Sequence, residues 1–110
     1  MKKPVNVGDF EQVMLLAILR LKTRGAYGVS IREEISRNTS RNPTPGAIYT
    51  TLSRLEEKKF LTSRMTEPLP ERGGRSRRHY EITGLGTRAL QQTEAMVLDF
   101  WGTKAIGSTS

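Results

Sequence analysis

The chain has 110 residues, 35% of them hydrophobic, no cysteine, and 18 Lys+Arg against 11 Asp+Glu for a formal charge of +7. That length fits one domain (residues 1–110) with a modest core, and the composition excludes a disulfide framework and a thiolate metal site. One histidine, His79, gives no basis for a histidine-rich metal site, no apolar run approaches the roughly 20 residues that span a bilayer, and MKKPVNVGDF lacks a signal peptide's apolar centre. A soluble cytoplasmic protein without cofactor or metal is expected. The charge is unevenly spread. From Arg41 to Tyr80 there are nine basic and four acidic residues, a net of +5, which leaves +2 for everything else. Basic charge gathered in one segment points to a polyanion, most simply nucleic acid; an anionic membrane surface is the weaker option, because no basic amphipathic helix with an aromatic face is present. The helix-turn-helix read below makes double-stranded DNA the expected partner.

In chain order, Asp9 with Gln12 forms a capping-box pattern that predicts a first helix from Phe10 to Arg24. Its middle, Val13 to Leu19, is apolar without a break, and Leu21 continues it. Such a helix needs cover on nearly every side. A central position in a monomer provides that cover, and so does a second subunit packed on Phe10, Val13, Met14, Ala17 and Leu21. GAYG (Gly25–Gly28) reads as a tight connection. Ser30 with Glu33 repeats the capping pattern for a second helix, whose buried side carries Ile31 and Ile35 and which fades by Asn38.

Residues 38–43 form a polar loop before TPGAIYTTLSRLEEKK (Thr44–Lys59). Thr44 suits an N-cap and Pro45 the first helical position, where its missing N–H costs nothing. Ile48, Leu52 and Leu55 share one face and dock on the core. The opposite face carries Gly46, Ala47, Tyr49, Thr50, Ser53 and Arg54. Small and hydroxyl side chains there admit a close partner and hydrogen-bond to it, although a simple solvated helix also accommodates them. Two helices joined by a short polar segment, the second with an open face, make a helix-turn-helix.

After Lys59 the period drops to two. Residues 61–66 and 77–82 alternate as strands around a loop containing RGGRSRR, a hairpin whose tip carries Arg72, Gly73, Gly74, Arg75 and Arg77. Arginine grips phosphate in a planar, bidentate manner, and glycine lets the backbone come close. In this alternation His79 points outward, with no metal or general-base pattern around it. Three helices and a basic hairpin predict a winged helix-turn-helix, mainly α with a small β-hairpin. Thr83 caps a last helix over about 84–101, where Leu90, Val97 and Trp101 form a stripe beside Met96 and Phe100. With little chain left to cover it, that stripe points to an interface, and 102–110 reads as a tail. No phosphate loop, nucleophile motif or ligand cluster supports an enzyme.

AIYTTLSRLEEKKFL (Ala47–Leu61), GGRSRRHYEIT (Gly73–Thr83), Gly86 and Leu90 resemble the PadR family of bacterial transcriptional regulators. The likeness covers nearly the whole chain. It implies a winged-helix homodimer, joined through its first and last helices, that represses transcription from an inverted-repeat operator on the nucleoid, in the short branch with a single C-terminal helix. In one branch of that family, aromatic residues between subunits bind flat aromatic compounds, which makes Trp101, Phe100 and Met14 candidates for an effector pocket, although Trp at an interface needs no ligand to explain it. Lys59 departs from the pattern by standing where the family has a helix-ending glycine, and Gly84 replaces a commoner helix former. The rival readings are an architectural DNA binder without sequence preference and a protein-interaction module with a basic face.

Overall fold

The computed structural model describes residues 7–22, 24–66 and 77–101, without the side chains of Val97, Asp99, Phe100 and Trp101. The elements are α1 (Asp9–Arg20), α2 (Gly28–Asn38), α3 (Pro45–Glu57), β1 (Leu61–Thr66), β2 (Arg77–Ile82) and α4 (Gly84–Trp101). This is the expected α+β order.

The helix ends show which local signals operate. α1 is capped by Gly8, whose N–H donates to the Glu11 carboxylate at 2.9 Å. Both partners therefore sit one residue before the expected Asp9 and Gln12, and Asp9 instead pairs with Arg41. α1 stops at Arg20, short of the expected Arg24, because the N–H groups of Arg24 and Gly25 both turn back to the Leu21 carbonyl, at 2.9 and 2.8 Å. Gly25 completes the turn with φ +93°, a conformation that costs glycine little. α2 starts after Tyr27, and the Ser30 hydroxyl accepts the Tyr27 N–H at 2.9 Å from the third helical position. Ser30 thus fills the reciprocal place of the capping box, not the cap itself.

α3 begins as its sequence requires, with the Ala47 N–H donating to the Thr44 hydroxyl at 3.1 Å and Pro45 following. It ends in a Schellman motif: Phe60 N–H donates to Leu55 O at 3.0 Å and Lys59 N–H to Glu56 O at 2.9 Å, with Phe60 and Leu55 both buried. The motif forces Lys59 to φ +69°. A left-handed residue with a Cβ costs about 1–2 kcal/mol, part of which glycine returns through its larger unfolded-state entropy. Lys59→Gly is accordingly expected to raise the urea midpoint by the equivalent of about 1 kcal/mol; an unchanged or lower midpoint contradicts the strain.

The hairpin pairs antiparallel from Leu61↔Ile82 to Thr66↔Arg77. A single further rung, Tyr80 N–H to Ala26 O at 2.8 Å, ties β2 to the connection between α1 and α2. The core lies between the three helices and this hairpin. Met14, Leu15, Ile31, Ile35, Ile48, Leu52 and Leu55 are its fully enclosed side chains, and Leu61, Tyr80 and Ala89 close its ends. Thr83 caps α4 by accepting the Gly86 N–H at 3.0 Å, while its hydroxyl donates to Lys59 O at 2.7 Å. One threonine therefore joins the end of α3 to the start of α4.

Two carboxylates are enclosed, while the cations that meet them stay largely or partly exposed. Glu34, with 2% of its side chain exposed, accepts from Arg20 at 2.7 Å and Asn38 at 2.9 Å, with Arg37 and Arg24 at 3.4 and 3.7 Å. The Arg20 hydrogen bond, backed by the three positive charges, outweighs burial and holds Glu34 below the usual carboxylate range. At Glu11 burial opposes ionisation, but the Gly8 N–H and Lys58, whose Nζ lies at 2.9 Å, prevail and lower its pKa as well. A lowered folded pKa contributes stability that is complete above the unfolded value of about 4.5 and is lost as pH falls through the folded value. The urea midpoint should hold steady on acidification until near that value and then fall. Glu34→Gln should flatten the fall, and an equally steep fall in that variant contradicts the assignment.

Candidate nucleic-acid interface

The face of α3 turned from the core is open. Ile48, Thr51, Leu52 and Leu55 are buried, whereas Thr44, Pro45, Gly46, Ala47, Tyr49, Thr50, Ser53 and Arg54 are exposed. All eight are the residues expected to meet DNA. The face is smooth at its N-terminal end, carries hydroxyls along its middle and ends in a cation, so it admits a groove edge closely and offers hydrogen-bond donors to it.

The start of α3 is tied to α2. The Arg32 guanidinium donates to the Pro43 carbonyl at 2.6 Å, fixing the loop that enters α3. Tyr49 is 48% exposed and lies across the start of α2, so close that a Cβ on Gly28 would fall 2.2 Å from its hydroxyl oxygen. That approach requires glycine at 28, and it leaves the hydroxyl beside the first turn of α2, where unpaired N–H groups face outward. Gly28 is itself buried beneath Tyr49, while its neighbour Val29 is 63% exposed beside it, although GAYG reads in sequence only as a turn. A glycine directly after an aromatic residue at a helix start was the available signal.

Among the expected wing residues, Arg72, Gly73, Gly74 and Arg75 lie outside the described residues. Arg77 is described, half-buried at the base of the wing, with its guanidinium carbon 4.2 Å from the centroid of the Tyr27 ring. Arg78 turns to the other face and donates to the Ser63 hydroxyl at 3.0 Å. His79 does not point freely outward as the alternation implied. It is half-buried with its ring edge-on to Tyr27, centroids 5.3 Å apart, and its Nδ1 is enclosed without a hydrogen-bond partner among the described residues. The Ala26–Tyr80 rung brings Tyr27 over this side of β2, which strand periodicity alone cannot reveal.

The expected interface residues divide. Met14, Ala17, Leu21 and Leu90 are 0–6% exposed and belong to the core of the single chain. Met14, expected to line an effector pocket, packs in that core without exposed surface. Phe10 and Val13 are half-buried on the core's edge, and Met96 is 64% exposed. Leu16 and Leu98, 45% and 61% exposed, were not singled out from the sequence and join them. The side chains of Val97, Phe100 and Trp101 lie outside the described part of the chain. Among the described residues no group of three or more His, Cys, Asp or Glu could hold a metal ion, and no helix is long and apolar enough to cross a membrane.

Residues 15–92 match the family described as transcriptional regulator PadR-like. No curated protein matches the sequence. Among solved structures, a PadR family transcription regulator from Clostridium difficile is 20% identical, covering 89% of this chain and 98% of that one with a TM-score of 0.66. A PadR-like transcriptional regulator from Bacillus cereus is 18% identical over 88% and 87% of the two chains, TM-score 0.62. F93 from STIV, a winged-helix DNA-binding protein, is 14% identical over 84% and 92%, TM-score 0.61. At these identities the likeness is one of fold, and it is the winged helix. The family match covers most of the chain, including α3 and both strands of the wing, and the protein is therefore a member of the PadR-like family: a DNA-binding regulator of transcription, not an enzyme.

Proposed function

We propose that the protein is a homodimeric repressor acting on the nucleoid in the cytoplasm, which binds an inverted-repeat operator with α3 in the major groove and the wing on the flanking backbone. The observation that carries this reading is the open face of α3, where eight neighbouring residues from Thr44 to Arg54 are exposed and only small, hydroxyl, tyrosine and arginine side chains occur. A solvated helix also accommodates such a face, and the basic segment that follows it favours DNA. The proposed dimer rests on Leu16, Met96 and Leu98, large apolar groups left exposed on α1 and α4. A small aromatic effector gains no support from the described residues, since Met14 is enclosed in the core.

Base edges supply discrimination and phosphates supply affinity. Thr44, Ala47, Thr50 and Ser53 are assigned to the former, Arg72 and Arg75 to the latter. Arg75→Ala should weaken binding to operator and random DNA alike and reduce the slope of log K against log salt by about 0.9 for each phosphate no longer neutralised. Thr50→Ala should keep that slope and narrow the gap between operator and random DNA by roughly 1–3 kcal/mol. Salt titrations by fluorescence anisotropy, on a site recovered by selection from a random library, decide between these roles. An Arg75 variant that keeps its slope and loses only specificity reverses them. If selection returns no preferred sequence, the protein is an architectural binder instead.

A further inference from the structure

We propose that Tyr27 is a positioning residue for DNA binding: it holds the Arg77 guanidinium in place at the base of the wing. The proposal rests on the reading of the wing as a backbone contact. Arg77 is the first residue of β2 and pairs with Thr66, the last of β1, whose hydroxyl donates to the Arg77 carbonyl at 2.9 Å. The backbone of Arg77 is thereby anchored where the wing leaves the sheet. Its side chain is anchored separately, 4.2 Å above the face of Tyr27. A guanidinium on an aromatic face is drawn by the ring quadrupole while its edge N–H groups stay free to donate. No carboxylate among the described residues competes for them in an ion pair.

The Tyr27 ring is itself fixed from several sides. His79 meets it edge-on, 5.3 Å between centroids at 69°. Gly25 leaves room for it, since a Cβ there would stand 2.7 Å from the ring. The Tyr27 N–H is held by Ser30, and the neighbouring Ala26 carbonyl by Tyr80 N–H. The His79 contact and the Ala26–Tyr80 bond join the α1–α2 connection to β2, Gly25 and Ser30 act within that connection, and Arg77 stacks on the face of the ring so placed. A long flexible cation loses rotamer freedom when it grips a phosphate, and stacking it beforehand removes part of that loss. Tyr27 thus acts on DNA through Arg77 and by the aromatic face, not through its hydroxyl.

The test is a mutant cycle read on a fluorescein-labelled duplex of arbitrary sequence, so that it does not depend on knowing the operator. Immobilising one such side chain corresponds to a factor of about 2–12 in affinity. Tyr27→Leu should weaken binding within that range, Tyr27→Phe should restore it, and Arg77→Ala should weaken binding at least as much. In the Arg77→Ala background, Tyr27→Leu should have no further effect. Circular dichroism melts check that each variant is folded, with Tyr27→Met as the second non-aromatic replacement. Additive losses overturn the proposal by making Tyr27 a contact of its own. Failure of Tyr27→Phe to restore binding overturns it by giving the role to the hydroxyl. If Arg77→Ala binds like the parent, Arg77 is no DNA contact and the wing reading fails at this residue together with the proposal. If neither Leu nor Met at 27 folds, Tyr27 is structural and the proposal falls.

Discussion

Gly86→Ala should destabilise the protein by about 2 kcal/mol, although alanine is the better helix former. Within α4 alone the change is favourable by roughly 0.5–1 kcal/mol. The tertiary packing opposes it: a Cβ at 86 would stand 2.3 Å from the Phe60 carbonyl oxygen and 2.9 Å from Ile82 Cγ1. Overpacking of this kind costs about 1–3 kcal/mol, and the upper end applies because the obstacle is backbone held on both sides. Phe60 O accepts the Thr83 N–H at 3.0 Å, and Phe60 N–H is part of the motif that ends α3. The oxygen therefore cannot retreat without loosening the cap of α4 or the end of α3. Gly84→Ala is the internal control, because its Cβ would meet nothing nearer than the far end of Arg88 at 3.6 Å. Urea denaturation of the two variants should move the midpoint in opposite directions, down for 86 and up for 84. A Gly86→Ala protein as stable as its parent contradicts the close approach.

The second large effect concerns assembly. Leu16→Glu combined with Leu98→Glu should leave the folded domain intact, since both side chains are largely exposed in the single protomer, and should abolish the dimer. Charges placed on an apolar contact surface must be desolvated for the subunits to meet. Losing one of two linked reading helices removes the gain of simultaneous engagement, typically a factor of about 10²–10⁴ in operator affinity. Sedimentation at micromolar concentration should then show a monomer with an unchanged melting profile, and operator affinity should fall by at least about 100-fold. A double variant that remains dimeric places the interface elsewhere. One that becomes monomeric yet keeps its affinity removes the two-fold reading of the operator.

The parts of the fold legible in the sequence are those fixed by neighbours in the chain. Thr44 with Pro45, and Thr83, are caps whose partners lie three residues away. The two strands of the hairpin follow from alternation, and the open face of α3 follows from helical spacing of Ile48, Leu52 and Leu55. Offsets of one residue in α1 and three in α2 hid their caps, because Glu11 and Ser30 accept from backbone N–H groups that sequence alone does not locate. An all-apolar helix such as α1 cannot reveal which of its faces a domain covers by itself. Met14 and Ala17 are therefore core, while Leu16 between them is 45% exposed. Long-range arrangements were least legible. The Arg20–Glu34 pair, Tyr49 across Gly28, and Tyr27 between Arg77 and His79 join residues far apart in the chain, and no periodicity links them.

The central claim, that two copies of α3 read an inverted repeat, is tested most directly by hydroxyl-radical footprinting on a DNA fragment selected by the protein itself. The account predicts two protected, symmetry-related half-sites whose centres lie about 34–36 Å apart, one turn of the duplex. It also predicts that Thr50→Ala blurs both halves equally and that two chains bind per site. Uniform protection that spreads along the fragment as protein is added, with no symmetric core, would contradict it.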